Sequence, residues 1–240
     1  MPLTDTTAPV LTVEHVSKSF RRYVALRDVD FKVYAGEFFA IFGRNGAGKT
    51  TLLRILATIL KPSSGAIYYA GKNILADPAT YRRQLGVVSH SPFLYPDLTG
   101  RQNLEFYSKL YDIPHPTNHI DQLLVQVNLQ DKAHQPVRSY SRGMLQRLSI
   151  ARALLHNPQV LLFDEPFTGL DRSAENTLDR LLRQNHTGAR IAILVTHDLE
   201  KGYHHADRLS VLEKGKLIDM GHKADLPFDE FRQTYESYLN

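Results

Sequence analysis

Between Val10 and Val16, and again between Val29 and Val33, apolar residues alternate with polar ones, as in strands covered on one face only. Phe38–Phe42 is apolar at every position, which predicts a strand buried on both faces. A glycine-rich turn follows it. Thr50–Leu60 then reads as a helix, stopped by Lys61-Pro62-Ser63-Ser64-Gly65. Gly65–Gly71 and Leu85–Val88 predict two further strands.

From about Phe93 the pattern turns helical. Thr99 with Gln102 makes a capping box for a helix running through Tyr111. Ile120, Leu123, Leu124 and Val127 form the apolar stripe of a second helix, and Ser141–His156 predicts a third. After Asn157-Pro158 the alternation of strand and helix resumes: a strand at Val160–Phe163, a helix after Asp171 and a strand at Ile191–Val195. Arg208–Leu212 and Lys216–Met220 predict a hairpin around Lys214-Gly215, and Phe228–Leu239 a closing amphipathic helix. The chain therefore divides as one domain, 1–240. An α/β core spans 1–91 and 157–222, a helical insertion 92–156, and a C-terminal helix 223–240.

Composition narrows the role. The longest apolar runs are strand-sized, below the roughly 18 residues of a spanning helix, and Met1 to Pro9 has no signal-peptide core. Any membrane role must run through a partner. The absence of cysteine excludes disulfides and thiolate zinc sites. A formal charge of +4 is carried by scattered pairs such as Arg21-Arg22 and Arg82-Arg83, which reads as a solvated surface and not as a nucleic-acid interface.

Candidate chemistry begins in the turn after Phe42. Gly43-Arg44-Asn45-Gly46-Ala47-Gly48-Lys49-Thr50 fits the spacing G-x-x-x-x-G-K-[ST]. Its glycines let backbone amides turn inward around phosphates, where a Cβ would block the approach. The helix that follows points its positive end at the same anion. The pattern assigns Lys49 to the β- and γ-phosphates of ATP and the Thr50 hydroxyl to Mg²⁺, with Thr51 flanking the cradle. Downstream, the strand Val160–Phe163 ends in Asp164-Glu165, at the strand end where ligands of open α/β sheets bind. Asp164 is expected to hold Mg²⁺ through water, and Glu165 to orient or deprotonate the attacking water. Alone, such a pair is no better than a surface turn; behind a phosphate loop it gains weight.

Three further segments fall in a fixed order. Tyr140-Ser141-Arg142-Gly143-Met144-Leu145-Gln146-Arg147 precedes Asp164, Thr168-Gly169-Leu170-Asp171 follows it, and Thr196-His197-Asp198 closes the next strand. Together with the phosphate loop, they resemble the ABC ATPases over Leu11–Gly221. The resemblance implies an α/β P-loop NTPase core with an antiparallel β subdomain and an inserted helical subdomain. It implies catalytic roles for Lys49, Glu165 and the switch histidine His197, and an adenine stacked on Phe20. A histidine after a strand is by itself as readily a surface or capping residue. The resemblance also implies that Ser141, Gly143 and Met144 of the signature segment, with Asp171, act on ATP held by a second copy or a homologous cassette. Two chains would lie head to tail, and hydrolysis would loosen them. Integral membrane transporter subunits would be the other partners, which places the chain peripherally at the cytoplasmic face of the cell membrane.

The sequence departs from the family pattern at three positions. His90 stands where the family's metal-binding glutamine falls; a neutral imidazole can bind Mg²⁺ or accept a hydrogen bond, or His90 can simply fill the loop. Arg142 and Met144 replace a glycine and the glutamine of the usual Leu-Ser-Gly-Gly-Gln, and Arg142 offers either a phosphate or cross-subunit contact or a solvent-facing charge. Leu85–Thr99, Asn103–Tyr107 and the Ser-Arg-Gly-Met run resemble the ATP-binding subunit of the haem exporter of cytochrome c maturation, although Ser91 stands where that subfamily commonly has glutamine. A soluble ABC ATPase serving as an assembly factor, for example in iron–sulfur cluster assembly, and an exporter of another substrate are the alternatives. Phe93, Tyr95, Phe106, Tyr107 and Tyr111 are candidates to line a groove for a partner's coupling helix, with helix core as the rival role for Phe106 and Tyr107.

Overall fold

The computed structural model describes residues 8–89, 91–170, 172–185 and 188–239. In chain order its first elements are β1 (Leu11–Phe20), β2 (Tyr23–Val33), β3 (Phe38–Phe42), α1 (Lys49–Leu56), β4 (Ser64–Tyr69), β5 (Lys72–Asn73), α2 (Pro78–Arg82) and β6 (Leu85–Val88). Three helices follow, α3 (Gly100–Leu110), α4 (Thr117–Gln126) and α5 (Arg142–Leu154). The remainder is β7 (Val160–Asp164), α6 (Arg172–Asn185), β8 (Ile191–Thr196), α7 (Leu199–His205), β9 (Arg208–Glu213), β10 (Lys216–His222) and α8 (Phe228–Leu239).

Among these residues one sheet has the order β10-β9-β3-β8-β7-β6, and a second, antiparallel sheet the order β2-β1-β4-β5. In the first, β9, β3, β8, β7 and β6 run parallel, with β10 antiparallel at the edge. Every residue of β3, β7 and β8 is buried. Phe39 and Ile41 of β3 face a core shared with β1, β2 and α1. Phe38 packs into the core of α3, α4 and α5, while Ala40 and Phe42 meet Phe231 and Tyr235 of α8. Whichever way a side chain of β3 points it is covered, so the sequence shows no alternation there. Each such large side chain contributes roughly 1.5–3 kcal/mol on burial.

Where alternation is visible, it slips phase. Leu11, Val13 and Val16 are all buried, and the register of β1 on β2 shifts between Val13 and Val16, where His15 takes φ 52°. This bulge restores the apolar residues to one face and lets β1 run past the expected end at Val16 to Phe20. Helix α1 ends at Leu56, short of the expected Leu60, because Thr58 takes a left-handed φ of 56° and the Ile59 and Leu60 amides fold back onto the Arg54 carbonyl. The capping box on α3 is present in both directions. Lys214 and Gly215 both have positive φ, the two-residue turn that matches strand twist, and the Gly215 amide donates to the Ala47 carbonyl (3.1 Å), fastening the hairpin tip to the phosphate loop. Helices α2 and α7 are additions to the sequence reading; Asp77 and Asp198 cap them. No helix among the described residues is long and apolar enough to cross a membrane.

Candidate nucleotide site

Strands β3, β8 and β7 lie side by side with their C-terminal ends level: Phe42 pairs with Thr196, and Val195 with Asp164. Residues leaving these three ends therefore meet. The Gly43 amide donates to the Thr196 carbonyl (3.3 Å), which sets the start of the phosphate loop. A Cβ on Gly43 would lie 2.5 Å from the Leu212 carbonyl oxygen, and one on Gly48, at φ +112°, 2.5 Å from that of Ala25. Only glycine fits either place. Ala47 is buried, and its amide donates to the Arg44 carbonyl (3.1 Å). Arg44, Asn45, Gly46, Gly48, Lys49, Thr50 and Thr51 line a cleft of about 240 Å³ together with Tyr23 and Glu165.

Tyr23 was not expected here. Its hydroxyl donates to the Gly46 carbonyl (3.1 Å), and it sits opposite Phe20 across the β1–β2 turn, the pairing that could have revealed it. Phe20 is exposed, with the Lys18 ammonium 5.2 Å from its ring centroid, and does not line the cleft.

Lys49 is 6% exposed; its Nζ donates to the Gly43 carbonyl (2.6 Å) and faces Glu165 Oε1 at 3.2 Å. Glu165 follows β7 with a left-handed φ of 50°. Its Oε2 accepts from Thr196 Oγ1 (3.1 Å) and from His197 Nδ1 (2.8 Å), which requires the His197 proton on Nδ1. Burial pushes the Glu165 carboxyl upward, but the His197 hydrogen bond and the Lys49 charge outweigh it and hold the group below the usual carboxylate value. Oε1 is buried and faces the Lys49 ammonium, with no hydrogen bond aligned on it among the described residues. Thr50 Oγ1 donates to Asp164 Oδ1 (3.3 Å), and Asp164 is buried. Two hard oxygens beside a glycine cradle fit a nucleotide carrying Mg²⁺.

The signature residues lie elsewhere. Ser141 caps α5, its Oγ accepting from the Met144 amide (3.3 Å). Gly143 is buried where a Cβ would come within 3.0 Å of Ala174 Cβ, and Met144 packs against the helical core. None of the three lines the cleft. The structure thus gathers Lys49, Thr50, Asp164, Glu165 and His197 and leaves Ser141, Gly143 and Met144 apart. His90 and Asp171 lie outside the described residues.

A second groove, about 140 Å³, runs from Thr50 and Asp164 past Val87 and Ser89 to Phe93 and Ile59. Phe93, Tyr95 and Phe106 are exposed, and half-buried Tyr107 meets Phe106 edge-on. Tyr111 departs from the expected set, stacking instead on His156 at 3.9 Å.

Residues 26–168 match the protein family described as ABC transporter. Over 231 residues the chain is 36% identical to the Uncharacterized ABC transporter ATP-binding protein YhcH of Bacillus subtilis, covering 94% of this chain and 74% of that one. It is 33% identical over 231 residues to the Bacitracin transport ATP-binding protein BcrA of Bacillus licheniformis, covering 96% and 74%. A solved structure described as an ATP binding subunit of an ABC transporter superposes with a TM-score of 0.87 at 29% identity, over 96% of this chain and 100% of the other.

Proposed function

Because the chain belongs to the family of ABC transporter ATP-binding subunits, which bind ATP with Mg²⁺ and hydrolyse it, we propose that it is the motor of a membrane transporter in which two such chains close over ATP. One observation carries this reading. Lys49, Glu165, Thr196 and His197 converge beside the glycine cradle within one chain, while Ser141 and Gly143 stand outside it.

Bound ATP would supply the γ-phosphoryl group, and Mg²⁺ held beside it would neutralise charge developing on the phosphates. Lys49 holds those oxygens, giving up its contact with Glu165 Oε1. Thr50 and Asp164 would hold the metal, with His90 in the place of the family's glutamine. Glu165 Oε1 positions the attacking water and takes its proton, while Thr196 and His197 fix Oε2 so that the carboxylate cannot swing away. Phe20 packs on the adenine. Ser141 and the Gly143 amide, at the positive end of α5, reach the γ-phosphate of the other chain's nucleotide, with Asp171 and Met144 at the same seam. Loss of that phosphate removes the bridge, and the pair opens.

Family members work with membrane subunits, and the groove edged by Phe93, Ile59 and Ser89 suits a helix of such a subunit. The cargo reading of haem rests on Ser141-Arg142-Gly143-Met144 and the Leu85–Thr99 segment. A relative named for bacitracin transport favours a second reading, a transporter of another substrate. Glu165→Gln with Mg²⁺ and ATP should run as a dimer on size exclusion; a monomer under those conditions removes the motor mechanism. Copurification with an integral membrane protein, and ATPase stimulation by haem but not by bacitracin, decides the cargo. A stable complex with soluble proteins alone would instead select the assembly-factor role.

A further inference from the structure

Arg142 opens α5, and its guanidinium lies against Gly169. A Cβ built on that glycine would come 2.3 Å from Nη1 and 2.5 Å from Cζ, so a side chain there would push the guanidinium off this position. Gly169 takes φ +71°, which independently favours glycine. One turn along the same face of α5, Gln146 Nε2 donates to the Pro166 carbonyl (3.0 Å). Pro166 and Gly169 lie in the segment that directly follows Glu165. Between them, Phe167 is buried in the core shared with α5. Ser89, Arg142, Gln146, Thr168 and Glu165 itself border a small cavity of about 80 Å³. The start of α5 therefore grips the Glu165 segment at two points within one chain.

We propose that Arg142 is a positioning residue for hydrolysis: it transmits the tilt of α5 to Gly169 and so sets Glu165 in its own chain. The planar guanidinium suits this role because it covers the exposed peptide faces flanking a residue without a side chain. A lysine ammonium is a point charge and offers no such plane. The signature helix then has two tasks. Its tip, Ser141, faces outward to another chain's nucleotide, and the next residue reports the helix position inward to the home carboxylate. The inference rests on the proposed role of Glu165.

The test uses the full chain with steady-state ATPase, ATP affinity and thermal midpoints for Arg142→Ala, Arg142→Lys, Gly169→Ala and the double variant Arg142→Ala/Gly169→Ala. Arg142→Ala should lower kcat about tenfold with KM for ATP changed less than twofold, since a small misplacement costs rate more than binding. Arg142→Lys should fall equally far. The double variant should be no slower than the worse single, because both remove one contact. The ATP-bound dimer should persist in a Glu165→Gln/Arg142→Ala background, and the midpoint should hold because Arg142 is exposed. Unchanged kcat in Arg142→Ala, full rescue by lysine, effects that multiply in the double variant, or loss of the dimer would each overturn the proposal. Full turnover by Glu165→Gln alone would remove the Glu165 assignment instead, so the two failures are distinguishable.

Discussion

The phosphate cradle and the signature segment are built on opposite plans. The cradle rests on three parallel strands whose ends share a level, and its charged groups are buried with partners in the same chain. The signature segment opens one helix with Ser141 and Arg142 exposed and Gly143 buried, and its capping serine touches only its own first turn among the contacts described. The cradle is complete in geometry within one chain; Ser141 is left facing outward, while Arg142 and Gln146 turn back to the segment after Glu165. In the proposed motor the cradle serves its own chain's nucleotide, and Ser141 gains a ligand only when two chains close.

The strongest way to break that contrast is to damage each of them. Glu165→Gln should lower turnover about 10²–10⁴-fold while keeping ATP binding, as expected for loss of a proton-transferring group. Lys49→Ala should be as severe and should also lower the midpoint of unfolding, since removing one member of a buried pair costs about 3–5 kcal/mol. Ser141→Ala should cost about tenfold in kcat, the worth of one hydrogen bond to a charged group, with about 1 kcal/mol of lost capping. Mixing Lys49→Ala with a Ser141→Arg chain should restore turnover, because one of the two shared sites is then intact. No recovery would place the signature in the service of its own cradle.

Two smaller effects depend on pH. If His90 serves the metal as a neutral imidazole, activity should fall below about pH 6.5, and His90→Gln should flatten that limb. His156, half-buried against Tyr111 and donating from Nε2 to the Leu85 carbonyl (3.1 Å), is pushed down from 6.5 to about 4 by burial. The unfolded chain therefore takes up its proton first. Stability should decline as pH drops from about 6.5 towards 4, and His156→Phe should reduce that slope in thermal melts.

The cradle was legible in the sequence because its requirements are local. A strand buried on both faces and glycines forced by neighbouring carbonyls leave their pattern in adjacent residues. Asp164 and Glu165 were legible for the same reason. What escaped depends on register between distant strands. Thr196 reaches Glu165 only because β7 and β8 pair in one particular alignment, and Tyr23 reaches Gly46 only because β2 turns back along β1. Tyr111 was assigned to the groove from its aromatic character, yet a ring stacks wherever a partner ring is offered, and here that partner is His156. Helix α7 was hidden by Gly202, a poor helix former; the structure explains it, since a Cβ there would come 2.4 Å from the Phe42 ring.

The contact between Lys49 and Glu165 has a consequence for what the cradle ignores. The cationic end of the cradle already holds a tethered anion, so any free anion must compete with a covalently attached rival at high local concentration. Sulfate and inorganic phosphate offer too few additional contacts to win, whereas a triphosphate with an adenine attached brings many. Replacing Glu165 with Gln should therefore strengthen phosphate binding, measurable by calorimetry. The acid proposed to serve hydrolysis would thus double as a guard against occupation by small salts.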